Sequence, residues 1–164
     1  MTMPAQKPGK SKQDYRTPDN FMEAVKRRFG KLWIDLAANA ENSQTKTFYW
    51  GPDNGTDSLA LDWGPADPSP GEWCWLNPPF SNIAPWAKKC AESHLPILFL
   101  VPAAVGANWF RDHVHGKALV IALNGRLDFG VGAPYPRDCM LCVYHSPGIK
   151  DYGVGFEVWN WRQP

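Results

Sequence analysis

Apolar Phe21, Met22, Val25 and Phe29 recur near helical spacing, with Lys26, Arg27 and Arg28 mostly on the other side. This predicts an amphipathic helix over Asp19 to Phe29, led in by Tyr15-Arg16-Thr17-Pro18 and stopped by Gly30. The period then changes. Leu32 to Ala37 is a short apolar run ending in an acid and small residues, and Trp73 to Leu76 and Ile97 to Val101 resemble it. Near-continuous apolar runs of this length belong to strands covered on both faces, so these three are expected as central parallel strands. Ala84 to Ser93 is expected as the helix joining the last two. Ala118 to Leu123, Met140 to Tyr144 and the aromatic tail Phe156 to Trp161 add strand-like runs, while Gly64 to Gly71, Gly130 to Pro136 and Ser146 to Gly155 are rich in proline and glycine and are read as loops.

Strands alternating with helices predict a layered α/β fold, whose ligands bind beyond the carboxyl ends of the strands. Asp35 and Asn77 both occupy such ends. The 164 residues, 44% of them hydrophobic, fit one globular domain over residues 14–164, with residues 1–13 expected as a disordered basic tail. No stretch approaches a membrane span and the first residues lack the apolar segment of a secretory signal, so a cytoplasmic location is expected. Cys74, Cys90, Cys139 and Cys142 lie among apolar neighbours and are expected as reduced thiols.

Charge changes this picture modestly. The net charge is +1, but up to Lys31 eight Lys or Arg stand against three acids. That imbalance permits a nucleic-acid partner, with Lys7, Lys10 and Lys12 as candidate phosphate contacts, and it equally describes a solvated tail and helix face. Of the nine tryptophans most are expected in the core.

The densest chemical signal is Asn77-Pro78-Pro79-Phe80, directly after an apolar run. Two consecutive prolines remove two backbone donors and stiffen the chain, which leaves carbonyl acceptors presented beside the Asn amide. A primary amine bound there finds acceptors for both protons, its lone pair is exposed to an electrophile, and Phe80 stacks on the ring bearing the amine. A plain turn after a strand uses the same residue types. Cys139-x-x-Cys142-x-x-His145 invites a zinc reading, but strand alternation explains it with less, and no metal is assigned.

Several pieces in order resemble the phage-type N6-adenine DNA methyltransferase family, within the wider class of amino methyltransferases with an Asn/Asp-Pro-Pro-aromatic loop. They are Tyr15 to Pro18, Ile34 to Ala38 with Glu41-Asn42, Asp57-Ser58-Leu59 with Asp62-Trp63, Leu76 to Ser81, Val101 to Ala103, Trp109-Phe110, and Gly125-Arg126-Leu127 with Phe129. The resemblance implies a Rossmann-like methyltransferase sheet, mostly parallel with an antiparallel edge and helices on both faces. It implies S-adenosylmethionine as cofactor and duplex DNA as partner, with methyl transfer by direct displacement to the N6 amine of a flipped adenine, in a phage- or prophage-encoded protein of a bacterial host. Asn77, Pro78, Pro79 and Phe80 are then the catalytic set.

The same resemblance assigns Tyr15, Thr17 and Pro18 to the methionine carboxylate end of the cofactor, Asp35, Ala37 and Ala38 to its methionine part, and Asp57 and Leu59 to its adenine. Helix capping is the plainer role for Thr17, and a solvated turn for Asp57. The family's glycine-rich turn is absent: Asn39-Ala40-Glu41-Asn42 stands in its place. Arg126 is a candidate for a DNA phosphate or for an internal pair with Asp128. Rival readings are another amino acceptor (cytosine N4, an RNA base, a protein glutamine) and a non-catalytic nucleic-acid-binding protein.

Overall fold

The structure, a computed structural model, describes residues 16–48, 57–63, 68–130, 132–145 and 153–164. Helix α1 spans Asp19–Phe29 and buries Phe21, Met22, Ala24, Val25 and Phe29, the stripe anticipated from the spacing. Gly30 ends it with φ of 104°, a left-handed conformation that favours glycine, and its N–H bonds to the Lys26 carbonyl. The strands are β1 (Leu32–Asp35), β2 (Thr47–Phe48), β3 (Trp73–Leu76), β4 (Ile97–Pro102), β5 (Leu119–Leu123), β6 (Cys139–Tyr144) and β7 (Gly155–Trp159), with α2 (Ala84–Glu92) and α3 (Asn108–His113) between them.

These strands form one sheet in the order β2-β1-β3-β4-β6-β5-β7. Every pairing is parallel except those of β6 with β4 and β5, so antiparallel pairing is gathered toward the β7 side of a mostly parallel, Rossmann-like sheet. Strand alternation divides the core in two. Trp73 and Trp75, Leu98 and Leu100, and Cys139, Leu141 and Val143 pack on the α1 face, whereas Cys74 and Leu76, Ile97, Phe99 and Val101, and Met140 and Cys142 pack on the face of α2 and α3. Helices therefore cover both faces, as the apolar runs required.

Trp63, Trp73, Trp75, Trp86 and Trp161 are buried, which accounts for most of the tryptophan content as core. Among the described residues the buried Trp75 Nε1 donor has no partner, a cost of about 1–3 kcal/mol that the surrounding apolar contacts offset. All four cysteines are free thiols in the interior. Cys139 and Cys142 are three residues apart on one strand and so fall on opposite faces, a placement strand alternation dictates and a shared metal ion would not tolerate. No described helix is long and apolar enough to cross a membrane. The expected tail over residues 1–13, including Lys7, Lys10 and Lys12, lies outside the described residues, as does Tyr15.

Candidate active site

From β1 the chain moves to one side to form β2 and then returns to the other side to form β3. At such a reversal the connections leave the carboxyl ends of the two central strands in opposite directions and open a crevice between them. Asp35 ends β1, opposite Trp75 of β3 in the parallel register, and Asn77 follows β3 directly. The two polar residues singled out from the sequence therefore stand at one switch point.

Asp35 is 3% exposed. Its Oδ1 accepts the Ala37 N–H at 3.3 Å and its Oδ2 accepts the Gln44 N–H at 3.0 Å. Burial pushes the carboxyl up to about 7 against the opposing pull of those two N–H groups. No ion pair reaches it among the described residues. A cationic group brought beside it would favour its ionised form. Ala37 is half-buried and Ala38 buried beside it.

Beyond Ala38 the turn closes through side chains rather than glycine. Asn39 Oδ1 accepts the N–H groups of Glu41 and Asn42 at 2.9 and 3.0 Å, and Asn42 Oδ1 accepts the Asn39 N–H at 2.8 Å. This reciprocal pair builds the turn without a left-handed residue.

Thr17 is buried, and α1 has no side-chain N-cap, so the capping role for Thr17 is not the one it takes. Its hydroxyl instead accepts a hydrogen bond from Asn77 Nδ2 at 2.9 Å. That contact turns the amide nitrogen toward Thr17 and leaves Oδ1 as the acceptor end of the Asn77 side chain. The Gln44 side chain adds a donor to the Thr17 carbonyl at 3.4 Å. Gln44 thus ties Asp35 and Thr17 together, although nothing in its local sequence marks it. Pro18, half-buried, is the residue that enters α1.

The segment carrying Asp57 and Leu59 is brought to the same strand end by Ser58, which is fully buried and donates through Oγ to the Leu36 carbonyl at 2.5 Å. Trp63 Nε1 donates to the Ser58 carbonyl at 3.1 Å, and Lys89 of α2 donates to the carbonyls of Ser58 at 3.2 Å, Leu59 at 2.7 Å and also Leu61. Asp57 is exposed, and its Oδ1 accepts the Leu59 N–H at 2.9 Å. It therefore closes its own turn, the plainer of the two sequence readings, and keeps Oδ2 for any other donor.

Pro78 is buried and Phe80 is half-buried at the end of the sheet, in contact with both halves of the core. The ring of Phe80 meets Phe129 edge-on at 6.1 Å and Tyr135 at 5.5 Å, and those two meet each other at 5.8 Å. Both partners come from the loop between β5 and β6, which departs from the same side of the sheet as Asn77. Tyr135 carries no motif and is missed by sequence reasoning; partial burial raises its phenol above the ordinary value. Arg126, on the same loop, pairs with Asp138 at 3.6 Å rather than with Asp128, whose Oδ1 instead accepts the Gly130 N–H at 2.8 Å.

The model of the family described as DNA N-6-adenine-methyltransferase (Dam) matches residues 5–138. A DNA N-6-adenine-methyltransferase of Escherichia phage T1 is 29% identical over 127 residues, covering 75% of this chain and 50% of that protein. Another, from Haemophilus phage HP1 (strain HP1c1), is 27% identical over 104 residues, covering 60% of this chain and 55% of that protein. The chain thus spans about half the length of the curated relatives it matches. No solved structure gives a significant match.

Proposed function

The chain belongs to the DNA N-6-adenine-methyltransferase family, and from that premise we propose that it methylates the N6 amine of adenine in duplex DNA using S-adenosylmethionine. The observation that carries the reading is the Thr17–Asn77 hydrogen bond, which leaves the Asn77 amide oxygen as the acceptor end of the side chain at the switch point of the sheet; the Pro78 carbonyl is proposed as the second acceptor. These two acceptors take the two protons of the amine, and with both engaged the nitrogen lone pair is free to point away from the loop. Phe80, flanked by Phe129 and Tyr135, receives the face or edge of a base swung out of the helix.

The residues at the carboxyl end of β1 fit the cofactor. Asp35 offers a buried anion to the amino group of its methionine part, Ala37 and Ala38 leave room for close approach, and Thr17 and Pro18 bound the same crevice. Asp57 through Oδ2, with Leu59 beside it, suits the adenine amino group and ring; Tyr15 is assigned by resemblance. When bound, S-adenosylmethionine supplies a methyl group made electrophilic by its sulfonium. The chain's own part is to hold the amine, exclude water from the crevice and fix the base. No strongly basic side chain is required, because the amine becomes acidic once alkylated.

The DNA is proposed to lie across the carboxyl-end rim of the sheet. Exposed Arg126 and Arg137 stand there on the loop after β5, and their guanidinium groups suit phosphates. The cluster Lys26, Arg27 and Arg28 is at the opposite end, where α1 turns into β1, and Arg28 is already committed to Glu157. Lys7, Lys10 and Lys12 are proposed as further phosphate contacts. Deleting Met1 to Gln13 is expected to lower DNA affinity and to reduce the slope of log affinity against log salt by up to roughly three, at about 0.9 per phosphate contact. A salt series on one duplex checks this; parallel lines of equal affinity for the two proteins remove the tail from the interface.

Mass spectrometry of nucleosides from DNA incubated with the protein and isotopically labelled cofactor tests the function. Label on N6-methyladenine is the expected result. Label on cytosine moves the acceptor to N4, label taken up only by RNA or by protein glutamine in parallel incubations moves it off DNA, and DNA binding without cofactor affinity points to a binding protein that has no turnover.

A further inference from the structure

The loop that supplies Phe129 and Tyr135 is tied along one side by residues near the end of the chain, beyond the span matched by the family. The Asn124 N–H bonds to the Trp159 carbonyl at 2.9 Å, extending the β5–β7 pairing by one rung. Trp161 is buried and donates through Nε1 to the Gly125 carbonyl at 3.2 Å. The Arg162 guanidinium lies over the Trp161 ring at 4.6 Å and donates through Nη2 to the Arg126 carbonyl at 2.9 Å. Two successive carbonyls of the loop are thus held by two successive side chains.

Gly125 makes this close approach possible. Its φ is 101°, and a Cβ built there would fall 1.8 Å from Arg162 Nη1, so the guanidinium occupies the space that a side chain would take. From this anchored start the loop closes on itself. The Tyr135 N–H donates to the Leu127 carbonyl at 2.7 Å, and Arg126 and Asp138 pair across the two ends. Leu127 is fully buried at the base of the loop, and the half-buried rings of Phe129 and Tyr135 reach Phe80.

We propose that Trp161 and Arg162 are positioning residues for the target base: by clamping the Gly125 and Arg126 carbonyls they hold Phe129 and Tyr135 against Phe80, so that a flipped base meets a formed aromatic wall. The role in base binding rests on the functional reading above, whereas the clamp itself rests on geometry alone. Neither side chain touches substrate. Their effect is to spare the base the cost of ordering the loop on entry, which appears in the apparent affinity for DNA rather than in cofactor binding.

The test compares the full chain with Arg162→Ala, Trp161→Phe and Arg162→Lys. Trp161→Phe keeps an aromatic ring in the core against Phe21 while removing the donor and part of the ring volume, and thermal unfolding of the variant checks that it folds. Hydrogen exchange at the Tyr135 amide and its neighbours is expected to accelerate about tenfold in Arg162→Ala and Trp161→Phe, with the Gln44 and Leu36 amides unchanged. KM for duplex DNA is expected to rise by a similar factor while cofactor affinity, measured by calorimetry, stays level. Arg162→Lys should restore part of both effects through its single donor. Unchanged exchange in the loop overturns the clamp whatever the activity. Faster exchange with an unmoved KM overturns the positioning role. A wild-type chain that leaves DNA adenine unmodified overturns the functional reading and the base-binding role with it, while the exchange result still decides the clamp.

Discussion

Asn77→Ala is expected to lower turnover by a factor of roughly a hundred or more while leaving cofactor affinity close to wild type. The side chain's acceptor serves the amine chiefly as the new bond forms, so its removal costs rate more than binding. Its donor end is engaged by Thr17, which belongs to the crevice wall, and that contact supports the geometry without touching the amine. Thr17→Val, which keeps the amide but releases it from its orientation, should therefore fall between wild type and Asn77→Ala. Single-turnover rates with labelled cofactor, paired with calorimetry on the same preparations, separate the two effects. Near wild-type turnover in Asn77→Ala would remove the residue from the chemistry.

Asp35→Asn is expected to change two quantities in different ways. The folded-state carboxyl lies at about 7 against an ordinary value of 3.8, because burial outweighs its two N–H donors. Between those pH values the folded chain keeps a proton that the unfolded chain has released, so stability falls as pH rises through this window. The full loss above neutral pH is on the order of 4 kcal/mol. Asn does not ionise, and urea unfolding at pH 4 to 8 should show its profile flattened over that range. Cofactor affinity at pH 8 should instead fall tenfold or more, since the buried anion that meets the ligand's ammonium is gone. A wild-type slope retained in the variant shows that another group titrates, and undiminished affinity removes Asp35 from the pocket.

Helix α1 and the strands were legible because burial on one face or both imposes a period that apolar residues must follow. The apolar run before Asn77 identified β3, and the acid at Asp35 identified the end of β1, from local pattern alone. β2 was not legible: it is two residues long, Thr47 and Phe48, and pairs only with β1, too short to show any period. In the site, Asn77 and Phe80 announced themselves through the two prolines between them. Gln44, Ser58, Lys89 and Tyr135 did not, because each acts through a contact made across the fold. Gln44 reaches Asp35 through its backbone N–H, which every residue but proline possesses, and Lys89 reads in sequence as one more surface charge on α2. Arg126 illustrates the same limit, since its observed partner Asp138 lies twelve residues on at the far end of a loop.

The four interior thiols give the molecule a built-in clock. Cys74 and Cys142 lie in β3 and β6, Cys90 in the helix laid against them, and Cys139 on the opposite face, so an alkylating reagent meets a thiolate only when the middle of the sheet comes apart. When reclosing outpaces alkylation, the labelling rate reports the population of that opened state. A ligand that binds only the closed form slows the clock in proportion to its occupancy. Mass shifts from a thiol reagent would thus register cofactor binding in any variant, including one that has lost turnover altogether.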